Sequence, residues 1–209
     1  MNNIAEQVAS HLLQIKAVKL EPRNPFTWAS GWKSPIYCDN RKTLSYPEVR
    51  TYIRDQFVAL IRNKYPNVEV IAGVATGAIA QGALVAQELG LPFVYVRSSA
   101  KNHGLENLIE GVYHAGQKVV VVEDLISTGG SSLQAVEALR EAGCEVLGLT
   151  AIFTYGFQKA VDNFTAAACP LDTLSNYEAM IDLAVRTGYV LPEEVEKLKE
   201  WRLSPETYK

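Results

Sequence analysis

Four consecutive valines, Val119, Val120, Val121 and Val122, run directly into two acids, Glu123 and Asp124, and then into the small-residue stretch Ser127-Thr128-Gly129-Gly130-Ser131. An uninterrupted β-branched run of that length reads as a strand buried on both faces. Three more runs of strand length lie at residues 68–74, 93–96 and 146–152. Helix-like stretches stand near residues 78–89 and 131–142, the second closed by Gly143 in a C-capping position. Strands alternating with helices predict an α/β fold, a mainly parallel central sheet flanked by helices. Residues 105–117 break the alternation and read as an excursion between two strands.

The ends of the chain read differently. Ile4, Val8, Leu12 and Ile15 share one helical face, and His11 within that helix reads as a packing residue. Residues 27–39 mix Trp and Tyr with Gly and Pro, the pattern of a short hairpin or extended lobe. Pro47 opens a second helix striped by Val49, Ile53, Phe57, Leu60 and Ile61. Near the C-terminus, Ser175-Asn176-Tyr177-Glu178 reads as a capping box opening a helix through Met180, Ile181 and Ala184, and a short helix follows near Pro192. No repeat or Gly/Ser linker divides the 209 residues, so one domain over 1–209 is expected, with a small N-terminal hood at about 20–45.

The chemistry concentrates after the valine strand. Ligands of open parallel sheets gather at the C-terminal strand ends, where a helix N-terminus offers free N–H groups to a phosphate. Gly129 and Gly130 let the backbone close on such an anion, and the hydroxyls of Ser127, Thr128 and Ser131 add donors. Acids beside a phosphate would repel it, so Glu123 and Asp124 are placed for sugar hydroxyls. The ligand that fits both halves is a ribose 5-phosphate. Neither G-x-x-x-x-G-K-[ST] nor G-x-G-x-x-G occurs, which argues against a P-loop nucleotidase and a dinucleotide-binding dehydrogenase.

The overall charge excludes other partners. With 20 Lys and Arg against 23 Asp and Glu, the net charge is −3, giving no electrostatic reason to expect nucleic acid or an anionic membrane. Cys38, Cys144 and Cys169 have neither zinc-site nor C-x-x-C spacing and read as reduced thiols. Neither a basic leader nor a run approaching the roughly 20 apolar residues of a membrane span is present, so a cytoplasmic protein is expected.

Directly after residues 93–96 comes Arg97-Ser98-Ser99-Ala100-Lys101-Asn102-His103-Gly104. Cations there can neutralise charge growing on an anionic leaving group. Two resemblances now meet. Residues 119–132 resemble the phosphoribosyl diphosphate (PRPP) motif of type I phosphoribosyltransferases. Residues 97–104 resemble the catalytic loop of orotate phosphoribosyltransferases, Arg-Lys-x-x-Lys-x-His-Gly, matching at Arg97, Lys101, His103 and Gly104, with Ser98 in place of a Lys. The likeness covers nearly the whole chain, including residues 30–35 of the hood and residues 73–78, where the family has its pyrophosphate turn. A Lys found in that turn in some members is absent. An orotate-contacting Arg that some members carry after the strand ending at Phe153 is replaced by Thr154-Tyr155-Gly156-Phe157.

The resemblance implies transfer of phosphoribose from PRPP to orotate, with Mg²⁺, giving orotidine 5′-monophosphate and pyrophosphate in pyrimidine synthesis. It casts Lys101, Arg97 and His103 on the leaving pyrophosphate, with Ala75, Thr76 and Gly77 as its turn. Glu123 and Asp124 hold the ribose, Asp124 also stabilising positive charge on the ring. Leu125, Ile126, Ser127, Thr128, Gly129, Gly130 and Ser131 line the PRPP site, and Ser127, Lys33 and Tyr37 face orotate. Mg²⁺ is expected on substrate and water rather than in a protein cage, and the active unit is expected to be a homodimer sharing its sites. Two alternatives stay open: transfer to a purine or uracil, and a non-catalytic PRPP-sensing regulator.

Overall fold

The computed structural model describes residues 4–28, 31–98 and 108–208. Helix α1 (Ile4–Gln14) leads into β1 (Val18–Leu20). Strands β2 (Phe26–Thr27) and β3 (Lys33–Ser34) form an antiparallel pair, and β4 (Ile36–Cys38) returns antiparallel to β1 with Val18 opposite Cys38. A 3-10 turn at Asn40–Ser45 then delivers the chain to α2 (Pro47–Lys64), which has Pro in its first turn. These short antiparallel pairs lie in the N-terminal stretch for which a hairpin or extended lobe is expected, called the hood below.

The body follows as β5 (Val70–Val74), α3 (Ile79–Leu89), β6 (Phe93–Val96), β7 (Ile109–Glu110), β8 (Lys118–Ile126), α4 (Gly130–Glu141), β9 (Glu145–Thr154), α5 (Gln158–Ala166), β10 (Leu171–Asn176), α6 (Tyr177–Arg186) and α7 (Val195–Leu203). The strands make one sheet in the order β10-β9-β8-β5-β6-β7, parallel throughout except for β7 against β6.

The valine run occupies β8, near the middle of that sheet, and all four side chains are fully buried. Val120 and Val122 join the core formed with Phe57, Ile61 and Met180, while Val119 and Val121 join the opposite core with Val136, Leu139 and Phe164. Both faces are covered, which is why the strand shows no polar alternation. Each such burial contributes about 1.5–3 kcal/mol.

Several elements depart from the sequence reading. Strand β8 continues past its valines to Ile126, because Glu123, Leu125 and Ile126 pair with Ala151, Phe153 and Thr154. Strand β10 was not anticipated: its residues are largely half-buried, and the free edge of β9 supplies its pairing. Helix α5 also went unread, and the excursion after β6 contains the short antiparallel strand β7. The capping box assigned to Ser175 is corrected. Asn176 is the N-cap, accepting from Ala179 N at 2.9 Å, whereas Ser175 lies buried in β10 and donates to Ala5 O at 2.7 Å. Gly143 ends α4 as expected, with φ +84° and its N–H on Arg140 O. His11 packs its ring 4.9 Å from Tyr52. The three cysteines are free, and no helix of the described residues is long and apolar enough to cross a membrane.

Candidate active site at the sheet edge

The C-terminal ends of β5, β6 and β8 lie side by side, and the turns that leave them carry most of the expected site residues. Successive residues of a strand point to opposite faces, so the two adjacent acids on β8 are divided. Glu123 turns toward α4 with 5% of its surface exposed; its Oε2 accepts from Ser132 Oγ and its Oε1 from Asp124 N, both at 2.9 Å. Burial, then the neighbouring Asp124 charge, push its pKa up to about 8.

Asp124 lies on the other face, toward the turn after β5. A Cβ built on Gly77 would stand 2.5 Å from the Asp124 carboxylate, so only a glycine lets the two approach this closely. That turn contains Ala75, Thr76 and Gly77. Its Ala75–Thr76 peptide is cis, and Ala75 N donates to Val96 O at 2.8 Å. The hood reaches the same place through Asn40, which is 1% exposed and whose Nδ2 donates to Asp124 O at 2.6 Å.

Leu125 and Ile126 complete β8, and Ser127 and Thr128 form the turn before α4. Gly129 has φ +82°, and a Cβ there would fall 2.6 Å from the Phe164 ring. Asn163 Nδ2 donates to Thr128 O at 2.9 Å, so α5 fixes this turn from outside. A Cβ on Gly130 would meet no protein atom within 4 Å, and Ser131 is exposed. The first amides of α4 thus open onto free space, the arrangement that receives a phosphate.

Arg97 follows β6 directly. Its N–H donates to Leu108 O at 2.8 Å, and its guanidinium lies 3.6 Å from Glu110 across the β6–β7 pair. A cavity of about 310 Å³ brings Ala75, Arg97, Ser98, Leu108, Ser131 and Gln134 together. In the hood, Lys33 Nζ donates to Thr27 Oγ1 at 2.8 Å within its own hairpin, and Tyr37 is 39% exposed beside Phe26. Lys101 and His103 lie outside the described residues.

Sequence reasoning named Ser131 but missed Ser132 and Asn40. Ser132 had left a signal: it shares the buried stripe of α4 with Ala135, Val136 and Leu139, and a lone hydroxyl on an apolar face needs a partner. Asn40 left none, since its partner is 84 residues away.

Residues 45–186 match the family model described as "Phosphoribosyl transferase domain". Orotate phosphoribosyltransferase of Porphyromonas gingivalis is 61% identical over 208 residues, covering 100% of this chain and 99% of the relative. The chain belongs to the orotate phosphoribosyltransferase family. The Bacteroides fragilis member is 62% identical over 205 residues, with 98% and 97% of the two chains covered. The crystal structure of orotate phosphoribosyltransferase from Aeropyrum pernix superimposes with a TM-score of 0.76 at 26% identity, covering 88% of this chain and 99% of that one. The similarity to family members thus extends along the whole chain.

Proposed function

We propose that this chain transfers the 5-phosphoribosyl group of PRPP to orotate, releasing pyrophosphate and forming orotidine 5′-monophosphate in pyrimidine synthesis. One observation carries the reading: the Asp124 carboxylate sits against Gly77 while the open amides of α4 begin six residues further on, so a sugar-binding acid lies between an anion-binding helix end and a second turn.

The 5′-phosphate takes the N–H groups of Ser127, Thr128, Gly129, Gly130 and Ser131. The ribose diol falls to Asp124 and, on exchanging Ser132 for a sugar hydroxyl, to Glu123. Ala75, Thr76 and Gly77 take the pyrophosphate with Arg97, joined by Lys101 and His103. Ser127, Lys33 and Tyr37 border the base. The transition state is oxocarbenium-like and calls for no protein nucleophile. Acceleration comes from alignment and from cations placed where leaving-group charge grows, with Asp124 opposing positive charge on the ring.

The donor set suits Mg²⁺ carried on substrate. Among the described residues no three His, Cys, Asp or Glu side chains cluster, and Asp124 offers one carboxylate at the sugar. Such a hard cation keeps phosphate, hydroxyl and water ligands, and when bound it neutralises the pyrophosphate. The active unit is a homodimer in which residues 97–104 serve the partner's site. Supporting this, the β6–β7 stem stands at the outer edge of the sheet, with β5 between β6 and β8.

Base competition tests the reading. With PRPP and Mg²⁺ present, orotate should release pyrophosphate, while uracil and purine bases should neither do so nor inhibit at comparable concentration. Preferential turnover of a purine or uracil would replace orotate as the acceptor.

A further inference from the structure

Strand β8 outruns its neighbour β5. The register of β8 on β5 ends at Val122, and its register on β9 passes from Glu123 to Leu125, so Asp124 has no opposite residue in either ladder. Two side chains hold its backbone. Asp124 N donates to Glu123 Oε1 at 2.9 Å, and Asp124 O accepts from Asn40 Nδ2 at 2.6 Å. The position of this residue matters more than most, because a catalytic group displaced by about 1 Å can cost about a hundredfold in rate.

Asn40 is 1% exposed. A carbonyl oxygen only accepts, so the amide nitrogen must face Asp124 O, which leaves Oδ1 to accept from the Cys38 thiol at 3.3 Å. An aspartate here would set a carboxylate oxygen against that carbonyl, and a leucine would offer no donor. The clamp is itself fixed. Thr43 Oγ1 donates to Asn40 O at 2.7 Å, and the adjacent Asp39 N donates to Ala17 O at 2.8 Å. Across 84 residues of sequence, the hood thus grips the backbone of Asp124, while the Asp124 carboxylate rests against Gly77.

We propose that Asn40 is a positioning residue, whose amide fixes the backbone of Asp124 and thereby the carboxylate that faces the reacting sugar. The inference rests on the reading of Asp124 as the acid at the ribose.

A double-mutant cycle read by pyrophosphate release tests it. Asn40→Ala should lower kcat by about tenfold or more in the wild-type background, and by less than about twofold beside Asp124→Asn, where the group it positions is already disabled. Thr43→Val removes a bond of the same turn but keeps the amide–carbonyl contact, and should change kcat by less than about twofold. A loss that persists undiminished beside Asp124→Asn, an equal loss in Thr43→Val, or no loss in Asn40→Ala overturns the inference. If Asp124→Asn alone turns over normally, or the wild type releases no pyrophosphate from orotate and PRPP, the underlying reading fails and takes the inference with it. A slow Asp124→Asn with an indifferent Asn40→Ala sinks the Asn40 role alone. Should Asn40→Ala not fold, a structure of the wild-type protein with PRPP decides: Nδ2 still on Asp124 O, with the carboxylate on the ribose hydroxyls, supports the role, and loss of either contact overturns it.

Discussion

Ser132 Oγ donates to Glu123 Oε2 at 2.9 Å, joining the first turn of α4 to the strand that feeds it. The bond satisfies a carboxyl with almost no access to water, and it holds the strand–helix junction between β8 and α4. Ser132→Ala removes the donor and leaves that oxygen unpaired. The expected cost is about 1–3 kcal/mol of stability in a denaturant titration. An unchanged midpoint would show that the contact does not hold the junction.

The same carboxyl sets a pH dependence. Its folded pKa of about 8 lies above the ordinary 4.5, so the folded state binds the proton more tightly than the unfolded chain. Its contribution is therefore fully present below pH 4.5 and is lost as pH rises toward about 8. Glu123→Gln mimics the protonated form. Wild-type stability should fall relative to this variant across that window and run parallel to it above. Parallel curves throughout would mean that Glu123 does not carry the proton.

Gly129 and Gly130 should behave oppositely although they are adjacent. Alanine at 129 meets both the left-handed φ of +82° and the Phe164 ring, so Gly129→Ala should lose about 1–3 kcal/mol of stability. Alanine at 130 meets no protein atom, so Gly130→Ala should unfold like the wild type. Its methyl group intrudes only into the open space proposed for the 5′-phosphate, so KM for PRPP should rise about tenfold. If Gly130→Ala binds PRPP normally, the phosphate lies elsewhere.

Lys101→Ala should lower turnover far more than it weakens orotidine 5′-monophosphate binding, because leaving-group charge peaks during bond breaking. Equal losses would remove Lys101 from that role. Mixing Lys101→Ala with Asp124→Asn subunits should restore activity if the loop serves the partner's site. No recovery in mixed dimers would place both residues in the same subunit's site.

Much of this architecture could be read from the chain because burial on both faces leaves a local mark. The valines of β8 could hardly sit elsewhere, and Gly129 supplies the left-handed φ of +82° on which the turn before α4 depends. What escaped depends on distant partners. Strand β10 needs the edge of β9, and Asn40 needs a carbonyl on β8. The acids gave the sharpest lesson. Their adjacency indicated sugar binding, but strand alternation sends Glu123 to Ser132 and Asp124 to Gly77, and only the fold reveals what each face meets. The cap shifted from Ser175 to Asn176 for a similar reason, since α1 claims the serine hydroxyl.

Phosphorus NMR of the reacting mixture tests the central claim most directly. With orotate, PRPP and Mg²⁺, the sugar-linked diphosphate signals should give way to free pyrophosphate and one new phosphomonoester in equal amounts. The spectrum should stay still when orotate is omitted. Ribose 5-phosphate appearing without orotate, or no change when both substrates are present, would contradict the account.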